Sequence, residues 1–126
     1  MNDIFEKALK EATEAGNVAG ENWLKDRIGG KYKLVGNRLY DLEGNIANPM
    51  LDVCGGAYIE IKDRRTKFAK YLKSISKYGQ VHSVDINHKF CGWQDMGLKE
   101  TTIYAAYEVL TKIYGIKGLQ YKSFID

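Results

Sequence analysis

The sequence predicts an α+β fold, an α/β sandwich in which an N-terminal helix and a β-ribbon precede a β-α-β-α-β unit with a mixed sheet. Three observations carry this reading. Apolar residues recur every three or four positions over residues 2–27, period-two alternation marks residues 57–62 and 81–90, and a second helical stripe runs from Ile103 to Tyr114. The chain has 126 residues, 44% of them hydrophobic, and a single proline. That is enough to bury roughly two thirds of the unfolded surface around one core. One domain, 1–126, is expected, comprising the helix 2–27, the ribbon 32–48 and the core 52–126.

The N-terminal stretch carries Ile4, Phe5, Ala8, Leu9, Ala12, Val18, Ala19, Trp23 and Leu24 with charges between them, one amphipathic helix or a broken pair. Asp3 with Glu6 three residues on reads as a capping box. Gly16 and Gly20 each lower helix propensity by about 1 kcal/mol relative to alanine, so a bend or a close helix contact is expected there. Lys33 to Val35 and Arg38 to Leu42, joined by Gly36-Asn37, form an antiparallel ribbon with a second turn at Glu43-Gly44-Asn45. After it, Ile46 and Leu51 read as packed.

In the second half Ala57, Ile59 and Ile61 alternate with Tyr58, Glu60 and Lys62, a half-buried strand. Phe68, Leu72 and Ile75 give a short helix with its apolar side inward. A second strand follows from the alternation of His82, Val84, Ile86, His88 and Phe90 with Ser83, Asp85, Asn87 and Lys89. Ile103, Ala106, Tyr107, Leu110, Ile113 and Tyr114 then line a strong helix before a last strand at Leu119 to Ile125. Crossovers of this length join parallel strands, so the strands at 57–62 and 81–90 are expected to run parallel.

No apolar run approaches the roughly 18 residues of a membrane span, and the acidic N-terminus lacks the layout of a signal peptide. A soluble intracellular protein without membrane contact is expected. Two cysteines make no disulfide framework, and the formal net charge of +3 alone names no partner. Divided along the chain, that charge becomes informative. Residues 1–60 hold 7 basic and 10 acidic side chains, whereas residues 61–126 hold 12 and 6. The excess lies in Lys62, Arg64, Arg65, Lys67, Lys70, Lys73 and Lys77, opposed only by Asp63. Such a ridge attracts phosphates or an acidic surface, or is an ordinary solvated helix face.

The block from Asp52 to Ile61, then Phe68-Ala69-Lys70-Tyr71-Leu72-Lys73, then Gln94, Lys99, Ala105 to Leu110, Gly115-Ile116 and a closing Ser123 to Asp126, resembles a family of small bacteriophage and prophage proteins. Its members carry a VCGFAWV-type strand, an FAKWLKK-type helix, a Q-S loop leading into a KEAYA-type helix, and a GSRMD-type C-terminus. The likeness spans residues 50–126 well and the N-terminal third loosely, and Phe124 stands where the family has its arginine. It implies a phage origin and brings no mechanism.

With parallel strands, the loops Lys62-Asp63-Arg64-Arg65 and Cys91 to Lys99 would meet at one sheet edge, each opening a helix whose N-terminus favours anions. The candidate ligand-binding residues are therefore Lys62, Arg64, Arg65, Trp93, Gln94 and Lys99. The cations would hold phosphate, Trp93 would stack on a base and Gln94 would bond its edge. The alternative is that Trp93 plugs the core and the arginines pair with Asp63 and Asp95. Neither G-x-x-x-x-G-K followed by Ser or Thr nor G-x-G-x-x-G occurs, so no nucleotide-loop motif, cofactor or metal is assigned.

Catalytic patterns are weak. His82 and His88 lie some 20 Å apart along a strand, too far to share a metal, and read as packed or rim histidines. Cys54 and Cys91 form no metal-binding pattern, and Cys54 beside Gly55-Gly56 is a nucleophile or a small core residue. Glu60 and Asp85 are paired carboxylates or, with Lys62 and Lys89, an ion-pair ladder. Tyr58, Phe124 and Tyr71 suit either an aromatic nucleic-acid platform or a homodimer interface. Tyr104, Tyr107 and Tyr114 suit core or interface.

The expected function is a phage-encoded, non-enzymatic, counter-defence protein of the host cytoplasm that captures a nucleotide-like ligand or blocks a host immune protein, acting as a homo-oligomer. The alternatives are a small nucleotide-signal hydrolase or nuclease, and a nucleic-acid-binding accessory protein.

Overall fold

The computed structural model describes residues 2–77, 79 and 81–126. Residues 1, 78 and 80 of the expected domain lie outside the described residues. Helix α1 (Asn2–Ile28) is a single unbroken helix with Asp3 in its first turn and Lys25 and Arg27 in its last, charges that complement the helix dipole. Asp3 thus lies inside the helix rather than capping it. Ala8, Ala12, Gly16 and Gly20 are all buried at intervals of four and make a line of small side chains along α1. Helix α3 (Met96–Glu108) packs there. A Cβ at Gly20 would stand 2.6 Å from both the Phe90 ring and Thr102 Oγ1, and one at Gly16 would stand 2.8 Å from the Thr102 carbonyl oxygen. Close contact, not a bend, is the role of these glycines.

Strands β1 (Tyr32–Val35), β2 (Arg38–Asp41) and β3 (Ile46–Ala47) form a small antiparallel sheet in that order. The ribbon turns at Gly36, whose φ of 64° a side chain would resist. The second turn closes on Asp41, whose carboxylate accepts the Glu43 and Asn45 amides, each at 2.9 Å. Ile46 is exposed, contrary to expectation, whereas Leu51 packs against a core cluster.

The α+β class holds, but the mixed sheet does not form. β4 (Gly55–Ile61) pairs antiparallel with β5 (Leu119–Ile125), from Gly55 opposite Ile125 to Ile61 opposite Leu119. The β-α-β-α-β order becomes β-α-α-β. Residues 81–90 form no strand and run antiparallel to β4, with one bridge from Glu60 to Ser83. Two amide bonds flank it, Ile61 to the His82 carbonyl at 3.0 Å and Val84 to the Ile59 carbonyl at 2.9 Å. Further on, the Lys89 amide donates to the Asn17 side chain on α1 at 2.9 Å rather than to a strand. The alternation survives as burial: Val84, Ile86, His88 and Phe90 face inward and Asp85 and Asn87 face water.

Helix α2 (Lys67–Ile75) begins at Thr66, whose hydroxyl accepts the Ala69 amide at 3.1 Å. It buries Phe68 and Leu72, while Ile75 is exposed. The stripe on α3 also breaks late. A π-helical turn, Val109–Ile113, inserts one residue, marked by the Tyr114 amide on the Val109 carbonyl at 3.1 Å, and leaves Ile113 71% exposed.

Two clusters make the core. The larger joins α1, β4, α2, Val84, Ile86 and α3; the smaller holds Leu24, Phe90 and Leu98, with Trp23, Leu34, Leu51 and Trp93 around it. Complete burial of Leu24, Phe90 and Leu98 contributes about 1.5–3 kcal/mol each. This second cluster fastens the small sheet to the body.

Candidate functional site

The predicted single site is divided between the two ends of β4. Because 81–90 runs antiparallel to β4, residues 62–65 leave its C-terminal end while residues 91–95 cross its N-terminal end. The Gly55 amide donates to the Gln94 carbonyl at 3.0 Å, and Cys54 bridges Asp95. Seven strand residues at about 3.3 Å each put roughly 20 Å between the ends.

At the C-terminal end, the Asp63 carboxylate accepts the Arg65 amide at 2.9 Å and the Arg65 Nε–H at 3.1 Å. The Arg65 guanidinium holds the Asp63 carboxyl below its ordinary range, chiefly through that hydrogen bond. Arg64 Nη2 lies 2.6 Å from His82 Nδ1. Since guanidinium only donates, His82 Nδ1 accepts. Arg64 therefore does not reach Asp95, whereas the expected Arg65–Asp63 pair forms. Lys62 sits 3.8 Å from Glu60, which also accepts from Lys122 at 2.6 Å. Those bonds, the Lys122 one foremost, lower the Glu60 carboxyl below its usual range. Glu60 is thus an ion-pair residue, and Lys89 pairs with Glu21 of α1 instead of joining the ladder.

At the other end a cleft of about 460 Å³ opens between the small sheet, residues 47–54 and residues 92–95. Trp93 forms one wall, its ring edge-on to buried Phe90 at 5.8 Å and its Nε1–H donating to the Asn37 carbonyl at 3.0 Å. The indole therefore closes the core end, as the structural alternative expected, and holds the small sheet in place while lining the cleft. Gln94 Oε1 lies 3.7 Å from half-buried Cys54 Sγ, and Arg38 lines the opposite side from β2. Arg38 is exposed and has no ion pair among the described residues.

The floor is built by Asp52 and Asp95. Asp95 Oδ2 accepts the Leu51 and Asp52 amides at 2.9 and 3.1 Å, and Asp52 Oδ2 accepts the Gly97 amide in the first turn of α3 at 2.7 Å. Both carboxylates are committed to backbone donors, which moderates their repulsion of an anion in the cleft. Lys99 lies one turn past Asp95, its amide on the Asp95 carbonyl at 3.2 Å, but does not line the cleft. It stands on α3 near buried His88, whose ring is held below its ordinary pKa first by burial and then by the Lys99 charge.

Tyr58 and Phe124 share the outer sheet face, with ring centroids 6.2 Å apart, whereas Tyr71 packs on Phe5 between α1 and α2. Tyr104 meets Tyr121 edge-on at 5.2 Å. The Tyr114 hydroxyl donates to Glu11 at 2.6 Å, which pushes its pKa up to about 12. His82 is exposed and His88 packed.

Comparison with protein-family models, curated proteins and solved structures yields no match. Among the described residues, no three His, Cys, Asp or Glu side chains converge to hold a metal ion, and no helix is long and apolar enough to cross a membrane.

Of the six predicted residues, the structure joins Trp93 and Gln94 in the cleft, gathers Lys62, Arg64 and Arg65 at the far end, and leaves Lys99 apart. Arg38, which sequence reasoning placed only in the ribbon, is the basic side chain that lines the cleft with Trp93 and Gln94 among the described residues. The only prior signal was its position beside the Gly36-Asn37 turn.

Proposed function

We propose that this chain is a non-enzymatic binding protein that captures a nucleotide-like small molecule in the cleft between Arg38 and Trp93-Gln94. The setting proposed for it is phage counter-defence in the host cytoplasm, a step beyond the phage origin that the resemblance alone implies. The observation that carries the reading is the composition of the cleft: an aromatic wall, a side-chain amide at Gln94 and an unpaired guanidinium around about 460 Å³, within the range of small-ligand pockets. Arg38 supplies the fork for a phosphate, Gln94 the donor and acceptor for a base edge, and Trp93 with Pro49 and Met50 the apolar surface.

Calorimetric titration with mononucleotides and cyclic dinucleotides tests the reading. Binding is expected to weaken at least tenfold in Arg38→Ala and Gln94→Ala and to stay unchanged in Arg64→Ala with Arg65→Ala. Binding lost in the Arg64/Arg65 variant and kept in Arg38→Ala would overturn the assignment. Nucleotide recovered as hydrolysed product after incubation with divalent metal would instead establish the enzyme reading.

A further inference from the structure

Separating the two ends of β4 leaves the basic end without a role in the cleft. Lys67, Lys70 and Lys73 are exposed on α2, away from buried Phe68 and Leu72, and Lys77 is exposed just beyond its end. None of the four makes an ion pair among the described residues, although Lys7, Lys62, Lys89, Lys112 and Lys122 do. Helix α2 contains no acidic residue, so no carboxylate on its own element offsets the row. Arg64 extends the row at the helix start, and Lys117 precedes Gly118, where a Cβ would lie 3.0 Å from the Asp63 side chain. Arg65 is the member already neutralised, by Asp63.

We propose that this ridge is a sequence-independent docking surface for the phosphate backbone of double-stranded nucleic acid. Three features favour that occupant over an acidic protein. The charges follow the helix: Lys67 to Lys73 rise about 9 Å at 1.5 Å per residue, with Lys77 two residues past the helix end, and a duplex offers a charge every ~3.4 Å along each strand. They are mostly lysines, mobile point charges that suit an evenly charged backbone better than the fixed pairing of a protein interface. Among the described residues of the row, Ile75 is the one exposed large apolar side chain, and no exposed aromatic of the kind that centres a protein interface accompanies it. The surface is separate from the cleft, so either assignment can fail alone.

The test is fluorescence anisotropy of a labelled 20-base-pair duplex with the full chain, repeated from 50 to 200 mM NaCl. With four to five phosphates neutralised, log K is expected to fall with log [salt] at a slope of about −4. Lys70→Gln with Lys73→Gln is expected to lower affinity at least tenfold at 50 mM salt and to make the slope shallower by about 2, alike on unrelated duplex sequences. Arg38→Ala is expected to change neither. No binding at 50 mM salt, a slope shallower than −2, or an unchanged affinity in the double variant each overturns the proposal. So does a poly-glutamate chain of equal charge that competes as well as unlabelled duplex, which would mark an acidic protein as the occupant. If the double variant melts more than a few degrees lower, the salt slope of the unaltered protein decides alone.

Discussion

Asp52 and Asp95 cap one another's chain segments: Asp95 takes the Leu51 and Asp52 amides, while Asp52 takes the Gly97 amide that the N-cap position of α3, occupied by Asp95, leaves unserved. The exchange ties the start of α3 to the strand entering β4. Each carboxylate fills the role that a local cap would ordinarily give to its neighbour on the same element.

Removing either side chain leaves half-buried amides without their carboxylate partner. Asp52→Ala and Asp95→Ala are each expected to cost about 1.5–3 kcal/mol. Because the two share one junction, the double variant should cost less than the sum of the singles. Urea unfolding of the four proteins measures this, and strict additivity would show the caps to be independent.

Gly20 and Gly30 contrast close packing with open space. Gly20→Ala gains helix propensity but drives a methyl into Phe90 and Thr102, and a net loss of about 1–2 kcal/mol is expected. At Gly30 nothing lies within 4 Å, so Gly30→Ala should be neutral or slightly stabilising. Thermal melts of both variants give the comparison.

Thr102 is fully buried, and its hydroxyl has no hydrogen-bond partner among the described residues. Thr102→Val keeps the shape and removes the unsatisfied group, so a gain of about 1 kcal/mol is expected. A loss would mean that the hydroxyl is bonded in solution.

His88 sets an acid-side weakness. Its ring is buried, its Nδ1 accepts the Phe90 amide at 3.2 Å, and its folded pKa lies below the ordinary value of 6.5. The unfolded chain therefore takes up the proton first, and stability should fall as the pH drops below 6.5 toward the folded value, with no change from this group above it. In His88→Asn, whose carbonyl can still accept from Phe90, the fall in melting temperature between pH 7 and pH 5 should be smaller. An equal fall would assign the effect elsewhere.

The helices were legible in the sequence because period 3.6 records burial directly, and Phe68, Leu72, Ile103 and Ala106 are inside as the stripes require. Residues 81–90 show the limit of the same logic. Alternation reports which side chains face inward, and it did so correctly for Val84, Ile86, His88 and Phe90. It does not report what receives the backbone amides, and Asn17 on α1 takes the one at Lys89. Nor does it report strand direction: the bridge from Glu60 to Ser83 is antiparallel, and that direction divides the site. Trp93 and Gln94 were legible as site candidates because a glycine-flanked aromatic preceding a helix is a local pattern. Arg38 was not, because its place at the cleft depends on a bond between Asn37 and Trp93, 56 residues apart.

The antiparallel pairing of β4 with β5 also orders events during synthesis. Roughly 60 residues separate the two strands, and at ribosomal rates of about 5–20 residues per second β4 waits some 3–12 seconds for its partner. During the first part of that interval, until residues 96–108 emerge, α1 and the small sheet have left the ribosome while α3, which covers the inner face of β4, has not. Ile59 and Ile61, buried in the finished fold, are then uncovered, and the charges of Glu60 and Lys62 that alternate with them disfavour pairing of the nascent strand with other chains.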